Sequence, residues 1–171
     1  PIPNSGTLGA KGYAQESGIP YVEGLRRRPE VGRTFIRPTQ DQRERGVRQK
    51  FEVLPEVVRG KRVILIDDSI VRGTTSKIIV HMLRQAGAME VSLCLTSEPI
   101  RYPCYYGIDT SRKEELLAHE SSVEEIRRYI QADRLYFLSP RGWKQSLLHV
   151  QSHPLCRACF DGTYTSPIPE E

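Results

Sequence analysis

Arg62-Val63-Ile64-Leu65-Ile66-Asp67, running on into Asp68-Ser69-Ile70-Val71-Arg72-Gly73-Thr74-Thr75-Ser76, is the stretch on which the fold turns. A strand covered on both faces loses the period-two alternation of a half-exposed one, so a continuous apolar run ending in an acid predicts a buried parallel strand. After a short loop, Ile78, Ile79, Met82, Leu83 and Ala86 recur at helical spacing, and Gly87 is a suitable stop for that helix. Val91 to Thr96 is the next apolar run, which completes a βαβ unit of ordinary length. Farther on, Ser111-Arg112-Lys113-Glu114 and Ser122-Val123-Glu124-Glu125 fit the capping-box pattern and predict helices over 112–119 and 123–131. Leu135 to Leu138 predicts a last strand. Upstream, residues 6–17 are expected to be helical, with Ser5 as N-cap and Gly18 just past the end, followed by a short strand from Ile19 to Val22. The expected fold is α/β, a mainly parallel sheet with flanking helices.

The stretches outside this frame are less regular. Arg26, Arg27, Arg28, Arg33, Arg37, Arg43, Arg45, Arg48 and Lys50 crowd residues 26–50, where apolar periodicity is weak. A long mobile loop of the lid type is expected there, with a helix from Thr39 onward. Aromatic residues do not interleave with most of these cations, so the stretch lacks the pattern of a base-stacking platform, and nucleic acid is not the expected partner. Residues 140–171 gain Pro, Gly, Ser and Cys and lose periodicity. They are expected to form an extended, cysteine-containing tail behind a domain spanning 1–139.

The 171 residues, 38% hydrophobic and 27% charged, fit one globular domain plus that tail. No apolar run approaches the roughly 20 residues of a membrane span. The start, Pro1-Ile2-Pro3-Asn4-Ser5-Gly6, lacks the basic and apolar regions of a secretory signal, and the chain is expected to open inside a domain. The four cysteines, Cys94, Cys104, Cys156 and Cys159, are therefore expected to be reduced, in a cytoplasmic setting. The net charge of +4 suits an anionic partner, such as a phosphate-rich small molecule.

The loop between the first strand and its helix carries the chemistry. Ligands of open α/β sheets bind at the carboxyl ends of strands. A helix N-terminus presents N–H groups and partial positive charge, which suits phosphate. Gly73 allows close backbone approach, Thr74, Thr75 and Ser76 add hydroxyls, and Arg72 adds a cation. Asp67 and Asp68 would repel phosphate but suit vicinal hydroxyls or a magnesium ion. A diol at one end and a phosphate at the other describe a ribose 5-phosphate. A Walker A loop and a Gly-x-Gly-x-x-Gly fingerprint are both missing from this segment.

The string Val63 to Ser76 resembles the phosphoribosylpyrophosphate signature of type I phosphoribosyltransferases. The narrower wording from Asp67 to Ser76 resembles its amidophosphoribosyltransferase version. Gly18-Ile19-Pro20-Tyr21, Val31-Gly32-Arg33-Thr34-Phe35-Ile36, Ala86-Gly87-Ala88, Pro103-Cys104-Tyr105-Tyr106-Gly107-Ile108-Asp109 and Glu124-Glu125-Ile126 read like the same family. The likeness runs nearly end to end, and is least distinctive around 140–155.

The resemblance implies a type I phosphoribosyltransferase fold, truncated in its first strand. It implies transfer of the phosphoribosyl group of phosphoribosylpyrophosphate to ammonia, the committed step of purine biosynthesis. Glutamine would supply the ammonia through a glutaminase domain upstream in the complete protein. Positioning and electrostatics should dominate catalysis, with magnesium neutralising the leaving pyrophosphate. By motif, Asp67 and Asp68 would hold the ribose hydroxyls and help place magnesium, and Ser69, Arg72, Gly73, Thr74 and Thr75 would bind the 5-phosphate. Ser5 would contribute to the magnesium and pyrophosphate site, and Arg33 and Lys50 would act from the loop that closes over pyrophosphate. Cys104, Cys156 and Cys159 resemble three of the four ligands of a [4Fe–4S] cluster carried by some family members. Purine nucleotides would be inhibitors, and a homo-oligomer is expected. Two departures bear on the site: Asn4 stands where the family usually has Asp, and Arg28-Pro29-Glu30 replaces the usual Asn-Arg-Tyr. Other readings of the same cradle are a non-catalytic purine-nucleotide-binding regulatory domain and a purine salvage phosphoribosyltransferase.

Overall fold

The computed structural model describes residues 1–29, 40–110, 112–147 and 155–168. In chain order its elements are α1 (Thr7–Ser17), β1 (Leu25–Arg27), α2 (Gln40–Lys50), β2 (Phe51–Val53), α3 (Pro55–Val58) and β3 (Arg62–Asp67). There follow α4 (Thr74–Gln85), β4 (Glu90–Leu95), a 3-10 turn at Lys113–Glu115, α5 (Val123–Ile130), β5 (Arg134–Phe137), α6 (Pro140–Ser146) and α7 (Ala158–Asp161).

The apolar runs form the expected parallel sheet, in the order β3-β4-β5. Register fixes its two faces. Leu65 lies beside Leu93, which lies beside Leu135, and all three are buried. Against this face pack α4, through buried Ile78, Ile79, Val80 and Leu83, and α5, through buried Ile126 and Ile130. Each such side chain contributes about 1.5–3 kcal/mol by leaving water. The second face carries Ile64, Ser92, Cys94 and Tyr136. Only its β3 side is covered by α1, and Tyr136 stays 52% exposed. A cavity of about 1050 Å³ opens over this face, lined by Tyr13, Ile64, Cys94 and Tyr136 among others. Among the described residues, no helix is long and apolar enough to cross a membrane.

Local signals explain the ends of elements. Ser122 and Glu125 form a reciprocal capping box at the start of α5, and Gly18, in left-handed conformation, ends α1. The expected helix over 112–119 is shortened to the 3-10 turn. The Leu117 N–H donates to the Val71 carbonyl at 2.8 Å, a bond that a continuing helix would have directed to Lys113 instead. The expected strand from Ile19 to Val22 is absent: Ile19 and Val22 are exposed, and pairing begins at Leu25, opposite Val53. The antiparallel pair β1–β2 closes the base of the excursion over 28–50, whose C-terminal part is α2. The described residues of the expected tail include two short helices, α6 and α7. Ser139 caps α6, and the Arg101 and Tyr102 N–H groups donate to the Cys159 carbonyl at 2.9 and 3.1 Å.

Ser5 is not the N-cap of α1; Gly6 holds that position, with no side-chain cap. Gly6 is there for contact. A Cβ at Gly6 would lie 2.1 Å from the Ile66 carbonyl oxygen and 2.8 Å from its carbon, both backbone atoms of β3. At Gly12, on the same helix, a Cβ would meet nothing within 4 Å. In urea denaturation, Gly6→Ala should therefore lower the unfolding free energy by about 3 kcal/mol or more, because α1 must move off β3. Gly12→Ala should raise it by about 0.5–1 kcal/mol through helix propensity. Equal effects at the two positions would refute this packing account.

Candidate functional site

β3 ends at Asp67, and residues 68–73 turn the chain into α4. Asp67 is 6% exposed. Its Oδ1 accepts from the Ser5 hydroxyl at 2.7 Å and from the Asp68 N–H at 2.9 Å. The Gly6 contact with β3 is what delivers Ser5 to this corner. Burial pushes the Asp67 carboxyl from 3.8 up to about 7; the Ser5 hydrogen bond opposes that shift and the charge of Asp68 adds to it. Asp68 is exposed, and its Oδ1 accepts from the Ser69 N–H at 2.7 Å. The two acids are thus unequal: Asp67 is a buried member of the corner, and Asp68 is the carboxylate that faces solvent. Thr96 closes the corner from β4, its N–H donating to the Asp67 carbonyl at 3.0 Å and its hydroxyl to the Asp68 carbonyl at 3.4 Å.

The half of the loop expected to hold phosphate is built on Gly73, whose φ of 74° is left-handed. It precedes α4 without a side-chain cap, so the first-turn N–H groups have no hydroxyl from the N-cap to satisfy them. Ser69 and Thr75 are half-buried, whereas Thr74 and Ser76 turn into the core. A Cβ at Gly73 would come within 2.6 Å of Leu117 Cδ2 and 2.9 Å of Tyr129 Cε1, so this glycine also admits the packing behind the loop. Arg72 does not stand over the loop as an unpaired cation: its Nε donates to Glu115 Oε2 at 2.7 Å, and its Nη2 donates to the same oxygen.

Lys50 ends α2, with its ammonium 5.1 Å from the Phe51 ring centroid. Burial and the nearby Arg27 charge lower its pKa, and the Asp67 carboxylate opposes them, so Lys50 stands within electrostatic range of the corner. Arg33 lies outside the described residues. Cys104, Cys156 and Cys159 are neighbours: burial raises the Cys159 thiol, and Cys104 and Cys156 raise it further. The Tyr106 N–H donates to Cys104 Sγ at 3.5 Å. Among the described residues, no group of three or more His, Cys, Asp or Glu is gathered closely enough to hold a metal ion. Cys94 lies on β4, on the second sheet face.

The large cavity on that face has no lining residue from the 67–76 loop. It is the uncovered side of a parallel sheet, whereas acids, hydroxyls and helix N–H groups converge at the loop, and the chemistry is assigned there on that ground. Sequence reasoning missed Gly6, Thr96 and Glu115. A Ser-Gly pair upstream of a helix signals a cap more readily than a close approach, and nothing local to Glu115 announces an ion pair with Arg72, 43 positions away.

No family model matches the chain. Individual relatives do. The chain is 48% identical over 169 residues to an amidophosphoribosyltransferase of Synechocystis sp., covering 99% of this chain and 34% of that protein. It is 52% identical over 170 residues to one of Bacillus subtilis, covering 98% and 36%. Among solved structures it superposes with a TM-score of 0.84 on glutamine phosphoribosylpyrophosphate amidotransferase from B. subtilis complexed with ADP and GMP. That match has 51% identity and covers 99% of this chain and 38% of the other. The chain spans about a third of the length of the curated relatives it matches. Over that third, with half of its residues identical and the parallel-sheet architecture in common, the chain belongs to the amidophosphoribosyltransferase family.

Proposed function

We propose that this chain is the phosphoribosylpyrophosphate-binding transferase part of an amidophosphoribosyltransferase, with residues 1–139 as the transferase domain and 140–171 as an extension. In the reaction, a C–N bond forms between ammonia and the anomeric carbon, the C–O bond to pyrophosphate breaks, and the nitrogen sheds a proton. The product is 5-phosphoribosylamine. Ammonia is already a nucleophile, so the work falls on orienting the sugar and stabilising the charge that develops on the leaving group. The observation that carries the reading is the corner where β3 meets α4: an exposed acid, Asp68, stands beside a helix N-terminus flanked by Ser69 and Thr75. Asp68 accepts hydrogen bonds from the ribose hydroxyls, the loop N–H groups and hydroxyls hold the 5-phosphate, and Arg33 and Lys50 attend the pyrophosphate.

Magnesium suits this corner. The ion binds through one or two carboxylates and completes its coordination with water and substrate phosphate, and the corner offers two adjacent carboxyl groups, Asp67 and Asp68. Asp67, Asp68 and Ser5 would hold it, and it would neutralise pyrophosphate as that group leaves. A [4Fe–4S] cluster needs four thiolates. Cys104, Cys156 and Cys159 would supply three, but they are not gathered closely enough here to hold a metal ion, so they would have to draw together around a cluster whose fourth ligand comes from elsewhere in the complete protein. A glutaminase domain that supplies ammonia, a homo-oligomeric assembly and a cytoplasmic setting belong to the same reading. So does inhibition by purine nucleotides, since the solved B. subtilis relative is complexed with ADP and GMP.

The polypeptide encoded at the natural locus should release pyrophosphate from phosphoribosylpyrophosphate with ammonium and magnesium, and Asp68→Asn should lower kcat/KM by about 100-fold. Turnover with adenine or guanine in place of ammonia would favour salvage. Nucleotide binding without turnover would favour a regulatory domain. The same preparation, made anaerobically, should contain about four irons per chain, and iron-free active protein would exclude the cluster.

Asp67 predicts a pH effect of definite sign. Its pKa is higher in the folded chain than in the unfolded one, so the folded state holds a proton that the unfolded state has lost between about pH 4 and 7. Stability therefore falls as pH rises through that window and is flat above it. Asp67→Asn should stabilise the chain by an amount that grows from pH 4 to 7 and levels off on the order of 2–4 kcal/mol. Chemical denaturation at pH 4, 5.5, 7 and 8.5 measures this, and a pH-independent difference would contradict it.

A further inference from the structure

We propose that Glu115 is a positioning residue for the 5-phosphate loop. It holds the Arg72 guanidinium away from the anion, so that the loop meets phosphate through backbone N–H groups and the Ser69 and Thr75 hydroxyls. This rests on the reading of the loop as a phosphate cradle, and adds a residue and a division of labour to it.

Three contacts strap residues 115–117 to the loop. Glu115 Oε2 accepts from both Nε and Nη2 of Arg72, and the two side chains are only 27% and 23% exposed. The Leu117 N–H donates to the Val71 carbonyl at 2.8 Å. The Leu117 side chain, with Tyr129, fills the space that a Cβ at Gly73 would occupy. Val71, Arg72 and Gly73 are thus each held by the same short segment. That segment is fixed on its far side too. Arg101 Nη1 donates to the Ala118 carbonyl at 2.9 Å, His119 Nδ1 lies 2.6 Å from the Arg101 carbonyl, and Leu116 and Ala118 are buried. A further cation attends the pair: Arg112 Nη1 approaches Glu115 Oε1 at 3.9 Å from an exposed position.

The charges argue the same way. A lone carboxylate beside the cradle would repel phosphate, and a lone guanidinium would draw it sideways, off the axis of α4. Paired, they cancel and leave the helix N-terminus as the positive pole that orients the anion. For Arg72 to grip phosphate directly, a partly buried pair, 23% and 27% exposed, would have to break.

The two models predict opposite signs for one substitution. If Glu115 positions the loop, Glu115→Gln weakens ribose 5-phosphate binding at least 10-fold in titration calorimetry. Arg72→Gln then weakens it comparably, and the double variant is no worse than the worse single one. If Arg72 is itself the phosphate ligand, Glu115→Gln frees it and binding stays the same or tightens, which overturns the proposal. Glu114→Gln, at an exposed neighbouring position, should leave affinity unchanged. In the polypeptide from the natural locus, the loss should sit in KM for phosphoribosylpyrophosphate, because a partly unfolded population would lower kcat instead. Amide exchange without ligand separates this proposal from the reading beneath it. Faster exchange at Leu117 and at 70–75 in Glu115→Gln upholds the strap even if ribose 5-phosphate does not bind the wild-type chain, in which case the phosphate reading alone fails. Unchanged exchange sinks the strap whatever binds.

Discussion

A carboxyl group sits almost out of water where β3 runs out of strand partners, and the surrounding fold is arranged around that burial. Asp67 has one oxygen bound by a serine hydroxyl and by its neighbour's N–H, yet burial still outweighs these bonds and raises its pKa. Ser5 reaches it only because α1 lies against β3, and α1 lies there only because residue 6 has no side chain. Thr96 holds the same corner from β4. A sheet that needed only to be stable would place a leucine at position 67. Burying an acid disfavours its charged form, a local conflict of the kind that marks binding sites more often than ordinary core.

Most of the sheet was legible from residue order. The runs at 62–67, 90–95 and 134–137 are largely apolar because one face of the sheet is buried under α4 and α5, and the structure has β3, β4 and β5 within a residue of the expected bounds. The capping box of α5 was legible because its two partners lie three residues apart. The failures are long-range. Residues 112–119 have helical local chemistry, but the Leu117 amide is taken by Val71, 46 positions earlier, and the helix stops at one turn. Ile19 to Val22 has strand-like composition but no strand beside it, because β2 pairs with residues 25–27.

The site shows the same divide. A ribose-phosphate cradle could be proposed from Asp67 to Thr75 because its ingredients are contiguous. Their division of labour could not. Two adjacent aspartates read as equals in sequence, and burial makes one a core group and leaves the other exposed. Ser5 read as a helix cap and serves as a hydrogen-bond donor to Asp67 instead. Arg72 read as a phosphate cation, but its charge is already matched by Glu115. In each case the deciding partner is distant along the chain, and neither periodicity nor spacing carries that information.

The three-residue pairing of β1 with β2 also bears on how this part of the chain could evolve. Leu25 faces Val53 and Arg27 faces Phe51, so both feet of the excursion are pinned together whatever lies between them. Once the two ends of a loop are joined, doubling its length costs only about 0.6 kcal/mol more in closure entropy. Insertions and deletions there can accumulate without disturbing the sheet. Lys50, at the foot, keeps its place beside Phe51 whatever the length of the segment before it.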